Sequence, residues 1–143
     1  MDTGDVAEEL LLQCTAESVR LAREFVRHCL AVLRPATPAE KVYDAGLVAS
    51  ELVTNALRHR PRSMAIRVVI SASRCRIEVA DDGRSAASPP EARVRREPRL
   101  GFAVMAGLGT LGHALDADGT VSWVDLALGG GRTTLTNAGP TSK

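Results

Sequence analysis

Glu51, Asn55 and His59 are the residues of this chain whose types and spacing first point to chemistry. Residues four apart on a helix stack on one face. The three therefore form a polar stripe in Val48-Ala49-Ser50-Glu51-Leu52-Val53-Thr54-Asn55-Ala56-Leu57-Arg58-His59, with Val48, Leu52, Val53, Ala56 and Leu57 supplying apolar surface beside it. A carboxamide oxygen one turn from a carboxylate suits a site that holds a hard cation and takes up a proton. A solvated stripe on an ordinary amphipathic helix accounts for the same residues, and the stretch alone does not decide between the two.

Asp81 is the next chemical residue. It continues the alternating series Cys75, Ile77, Val79, so its carboxylate points to the covered side of a sheet, where a buried acid needs a partner. Asp82 has the opposite parity and faces solvent. From Gly83 to Arg99 the chain turns basic and irregular, with Arg93, Arg95, Arg96 and Arg99 against Glu91 and Glu97. That character fits either a lid over something anionic or a solvated basic loop. In Leu100 to Gly112, Val104, Met105, Leu108 and Leu111 have helical spacing, and Gly112 fits a C-cap. Gly101, at its start, permits close backbone approach where free helix amides attract phosphate.

The elements that must position these residues emerge from periodicity. Glu8 to Cys14 reads as a short strand closed by Thr15. Glu17 to Leu33 is an amphipathic helix whose apolar row is Leu21, Phe25, Cys29 and Leu33, flanked by Val26 and Leu30. Thr37-Pro38-Ala39-Glu40 combines a capping hydroxyl, a first-turn proline and a Glu three residues on, starting a helix that runs to about His59 and stops before Pro61. Ala65 to Ile70 and Arg74 to Val79 alternate around Ser71-Ala72-Ser73 as a hairpin. Ala114 to Ala117 and Val121 to Leu128 form a second hairpin turning at Asp118-Gly119. The glycine-rich end, 129–143, is expected to be a disordered tail.

Composition sets the outer bounds. With 143 residues, 45% hydrophobic and 24% charged, the chain is one globular domain whose 3% aromatic content makes the core aliphatic. A formal net charge of +1 gives no general electrostatic case for nucleic acid or an anionic membrane. The acidic start Met1-Asp2-Thr3-Gly4-Asp5 does not read as a secretory signal, and no apolar run approaches the roughly 20 residues needed to cross a bilayer. Cys14, Cys29 and Cys75 read as buried, reduced thiols of a cytoplasmic protein. His28 and His59 read as surface or packing histidines.

Strands on one side and helices on the other predict an α+β two-layer sandwich, a mixed, mostly antiparallel sheet with helices on one face. With Glu51-x-x-x-Asn55, then Asp81-x-Gly83 at a strand end, then a glycine opening a helix after a basic loop, residues 8–128 resemble the Bergerat (GHKL) ATP-binding fold. The string Ser50-Glu51-Leu52-Val53-Thr54-Asn55-Ala56-x-x-His59 more closely resembles the small stand-alone anti-sigma factor serine kinases of bacteria. The resemblance implies ATP and Mg²⁺ as cofactors. It makes Asn55 the Mg²⁺ ligand, Glu51 the base for an attacking serine hydroxyl, and Asp81 the acceptor of the adenine amino group. By the same resemblance Gly83 lets adenine approach the backbone, Gly101 belongs to the phosphate-binding box, and Thr120 lies near the adenine. A sigma factor, a STAS-type anti-anti-sigma protein and a second copy of the chain are the implied partners, with no direct nucleic acid and no membrane.

Two positions depart from the family pattern. Arg99 stands where a glycine opens the box after the lid, and Arg84-Ser85 follows Gly83 where another glycine belongs. Arginine does not take glycine's left-handed conformations cheaply, although its charge can meet a triphosphate. The departures leave two readings, an active kinase and a binding module that sequesters a regulator without turnover. A sensor histidine kinase fragment is disfavoured because nothing in the sequence resembles a phospho-accepting helix hairpin.

Overall fold

The computed structural model describes residues 4–83, 105 and 107–129. Arg84, Arg99, Gly101 and most of the basic segment lie outside them, as does the tail from 130 onward. The elements are β1 (Val6–Leu12), α1 (Glu17–Leu33), α2 (Ala39–Leu57), β2 (Met64–Ile70), β3 (Arg74–Asp81), β4 (Thr110–Asp116) and β5 (Gly119–Ala127). The strands form an open five-stranded sheet in the order β1-β2-β3-β5-β4. Every pairing among the described residues is antiparallel.

Alternation along β2 and β3 produces the covered face. Met64, Ile66, Val68 and Ile70 are buried, as are Cys75, Ile77, Val79 and Asp81, while Arg67, Arg74 and Ala80 point away. Both helices lie on the covered side, α1 against β1 and β2, α2 against β3 and β5, and the two against each other. The aliphatic core between the layers is built on Val26, Leu30, Val48, Leu52, Val53, Ile66, Ile77 and Val124. Apolar burial of this kind supplies the main drive for the fold. On the other face, Arg76 bridges Glu78 at 2.9 Å and Asp125 at 3.4 Å and lies 4.7 Å from the centroid of the Trp123 ring.

Several expectations need correction. The buried row of α1 is Ser18, Ala22, Val26, Cys29 and Leu30, whereas Leu21 and Leu33 are exposed. The small Ala22 lets the helix turn this side to the core. Thr37 does not cap α2, because its hydroxyl donates back to the Arg34 carbonyl at 2.7 Å and the helix begins after Pro38. Gly112 is no C-cap. Helix at Met105, Gly107 and Leu108 ends with the Gly109 amide donating to the Met105 carbonyl at 3.0 Å, and Gly112 lies inside β4 opposite Trp123. All three cysteines are free, but Cys14 is only half-buried. Burial pushes the Cys75 thiol up to about 12. No helix among the described residues is long and apolar enough to cross a membrane.

Candidate functional site

The site begins on α2. Ala45, Val48, Ala49, Leu52, Val53 and Ala56 face the core, which leaves Glu51 and Asn55 half-buried at the border of that face. A border position keeps both side chains anchored by apolar neighbours yet open to a ligand. Ser50, next to Glu51, is buried beneath Arg23, whose guanidinium donates to its hydroxyl at 2.9 Å.

After Leu57 the helix closes with the His59 amide donating to the Ala56 carbonyl at 2.9 Å. Arg60 then takes a left-handed φ of 53°, uncommon for a residue with a side chain, and the buried Pro61 prevents the helix from resuming. This sharp turn brings His59 under the end of the sheet. There its Nδ1 lies 3.0 Å from Oδ2 of Asp81, with side-chain exposures of 9% and 2%. His59 is thus no mere packing residue. It is the protein partner that the inward carboxylate of Asp81 requires.

The other oxygen of Asp81, Oδ1, accepts the Gly83 amide at 3.0 Å. A Cβ on Gly83 would run into the His59 carbonyl and lie 2.8 Å from Pro61 Cα, so a glycine is needed there for the connector to close over the strand end. Asp82 locks the same connector. It is exposed, as its parity predicts, but its Oδ1 accepts the amides of Arg62 at 2.8 Å and Ser63 at 3.0 Å, and its own amide donates to the Ser63 carbonyl at 3.2 Å. The Ser63 amide and then that of Arg62 hold its carboxyl below the usual carboxylate value.

Thr120 completes the group. It pairs with Asp81 across the β3–β5 ladder, is 5% exposed, and its Oγ1 has no hydrogen-bond partner among the described residues. A buried hydroxyl without a partner costs about 1–3 kcal/mol, and an orphan of this kind beside a buried acid fits a site that a polar ligand completes. Gly119 makes the approach possible. Its φ is +137°, and a Cβ there would collide with the Asp81 carbonyl.

The structure therefore brings Asp81, Gly83 and Thr120 together at one end of the sheet, with His59 as an unforeseen fourth member, and sets Glu51 and Asn55 on the helix that leads into His59. A carboxylate that accepts and a hydroxyl that can donate or accept suit a polar ligand carrying an N–H donor, as the amine of a purine does. No group of three or more His, Cys, Asp or Glu side chains among the described residues could hold a metal ion. Mg²⁺ bound through phosphates and few protein oxygens needs no such cluster.

The sequence profile of the histidine kinase-like ATPase domain matches residues 12–121. The chain belongs to the histidine kinase-like ATPase domain family. The open antiparallel sheet covered by two helices is the GHKL fold of that family, and ATP is the ligand of such a domain. Among solved structures, the chain is similar to the histidine kinase domain of a blue-light activated histidine kinase from Erythrobacter litoralis EL346. The two are 25% identical with a TM-score of 0.49, over 78% of this chain and 63% of that one. The chain thus spans less than two thirds of that relative's length. No curated protein matches.

Proposed function

We propose that this protein is an anti-sigma-type regulator that binds ATP with Mg²⁺, phosphorylates a serine or threonine on an antagonist protein, and sequesters a sigma factor. The observation that carries the proposal is the juxtaposition of Glu51 and Asn55 on α2 with the buried Asp81 and the orphaned Thr120 hydroxyl at the strand ends that α2 reaches through His59. Asp81 and Thr120 receive the base. The Asn55 carboxamide oxygen holds Mg²⁺, which offsets phosphate charge when bound. In transfer, the substrate hydroxyl oxygen bonds to the terminal phosphorus, ADP leaves, and Glu51 accepts the hydroxyl proton. Positioning and charge neutralisation do most of the work in such chemistry.

The partners proposed with this reading are a sigma factor, a STAS-type antagonist and a second copy of the chain, all in the cytoplasm. Calorimetry with ATP and ADP, with and without Mg²⁺, tests the nucleotide site, and Asn55→Ala should abolish the Mg²⁺-dependent part. An unchanged titration in that variant would sink the assignment.

Arg84 and Arg99 at two glycine positions favour a second reading, a partner-sequestering module of the same fold without turnover. Glu51→Ala separates the two. If it keeps nucleotide and partner binding but stops phosphate transfer to a co-expressed antagonist, the kinase reading holds. If the wild type transfers phosphate to no candidate, the module reading replaces it.

A further inference from the structure

We propose that His59 is a positioning residue that sets base specificity, by keeping Asp81 an obligate hydrogen-bond acceptor toward the nucleotide. The inference rests on the nucleotide reading of the site and assigns a residue outside the Glu51, Asn55 and Asp81 set.

Three observations carry it. The Nδ1 to Oδ2 contact is 3.0 Å between two side chains with exposures of 9% and 2%, so water does not replace it. Two such atoms this close and this dry share one proton, which sits on Nδ1 when Asp81 is a carboxylate and on Oδ2 when it is an acid. In either case the proton lies inside the contact. Oδ1 in turn accepts the Gly83 amide at 3.0 Å. Asp81 therefore has only lone pairs left to offer a ligand, whichever group holds the proton.

Without the imidazole nothing fixes the Oδ2 edge as an acceptor, and a carboxyl hydroxyl presented there would donate to a carbonyl. The class of ligand thereby selected is a purine with an exocyclic amine, against one with a carbonyl at the same position. Arg60 takes its left-handed φ of 53° where the chain must reverse at once to keep the ring beneath Asp81, a conformation that the surrounding contacts hold.

ATP and ITP differ in an amine against a carbonyl at C6 and in a bare N1 against an N1–H beside it, and their binding to the full chain is compared in the wild type, His59→Asn and His59→Leu. The wild type should prefer ATP by at least about a hundredfold, as sites built to accept from a ligand N–H do. Asn places an amide N–H close to where Nδ1 stands and should keep the preference. Leu, which offers no donor, should narrow it by about tenfold or more.

A structural role alone would lower the melting temperature of His59→Leu and leave the ATP to ITP ratio unchanged. That result overturns the proposal and spares the nucleotide site. A wild type that binds neither nucleotide overturns both. Should His59→Leu fail to fold, nitrogen-15 NMR of the wild type decides, because the Nδ1 resonance of His59 reports on its contact with Asp81. A shift of the His59 Nδ1 resonance on adding ATP but not ITP supports the proposal, and a resonance that responds to neither or to both alike counts against it.

Discussion

The two ends of the sheet are built on opposite terms. At the β2–β3 turn, the Ser71 amide donates to the Arg74 carbonyl at 2.9 Å and the Leu128 amide to the Ser73 carbonyl at 2.8 Å. Arg34, just past α1, closes that end by donating to the Ala72 carbonyl at 3.0 and 2.6 Å. Ile70, Cys75 and Leu126 fill the space beneath it. At the far end, where Leu12, Met64, Asp81 and Thr120 line up, the chain buries an acid, an imidazole and an unpartnered hydroxyl. Among the described residues the acid and the imidazole partner each other, and the Thr120 hydroxyl is the group at this end left without a partner. The difference is what the proposed nucleotide site would require, since a polar group left incomplete in a fold fits a site that a ligand completes.

The largest effect should come from tightening the polar end. Gly83→Ala should lower stability by about 2 kcal/mol in denaturant titration, because the added methyl meets the His59 carbonyl and Pro61 backbone, neither of which can move aside. The closed end should respond separately. Arg34→Ala should cost about 1 kcal/mol for its lost bonds to Ala72 and leave ATP affinity untouched. A loss of ATP affinity in that variant would break the contrast between the ends.

Thr120→Val sharpens it. Replacing an unpartnered buried hydroxyl by a methyl of similar shape should raise stability by about 1 kcal/mol while weakening ATP in the same preparation. A drop in both would show that the hydroxyl already has a structural partner.

The smallest effect concerns acid. The carboxyl of Asp82 is held below its usual value of 3.8, so its contribution is present above that pH and is lost as pH falls through the lower folded value. Asp82→Asn should therefore lower stability slightly at neutral pH, where the carboxylate contribution is fully present, and flatten this part of the acid-side slope, so that variant and wild-type melts converge below about pH 4.

Much of this arrangement is legible in the residues themselves. Period-two alternation marks β2 and β3 and places Asp81 inward, and the spacing of Glu51 and Asn55 marks α2 as their carrier. Parity along β5 also places Thr120 beside Asp81 once the register is known. His59 is not legible, because its role depends on the turn made after Leu57, and a left-handed Arg60 leaves no pattern in a sequence. The signal that could have found it is Pro61, which forces a turn within two residues of a histidine on the same stripe as Glu51. The apolar row of α1 misleads for a different reason. Leu21 and Leu33 are larger than Ala22, yet the close approach of α1 and α2 selects the small residue. Gly112 misleads too, since a glycine after an apolar run signals a cap only where the run remains helical.

The single tryptophan gives this chain an optical reporter on the sheet. Trp123 lies on the uncovered face of β5, beneath the Arg76 guanidinium and three residues from Thr120. Its emission reads the pairing of β3, β4 and β5 rather than the helices. The indole and Thr120 occupy opposite faces of one strand, so light can follow loosening of the strand without a dye touching the covered side.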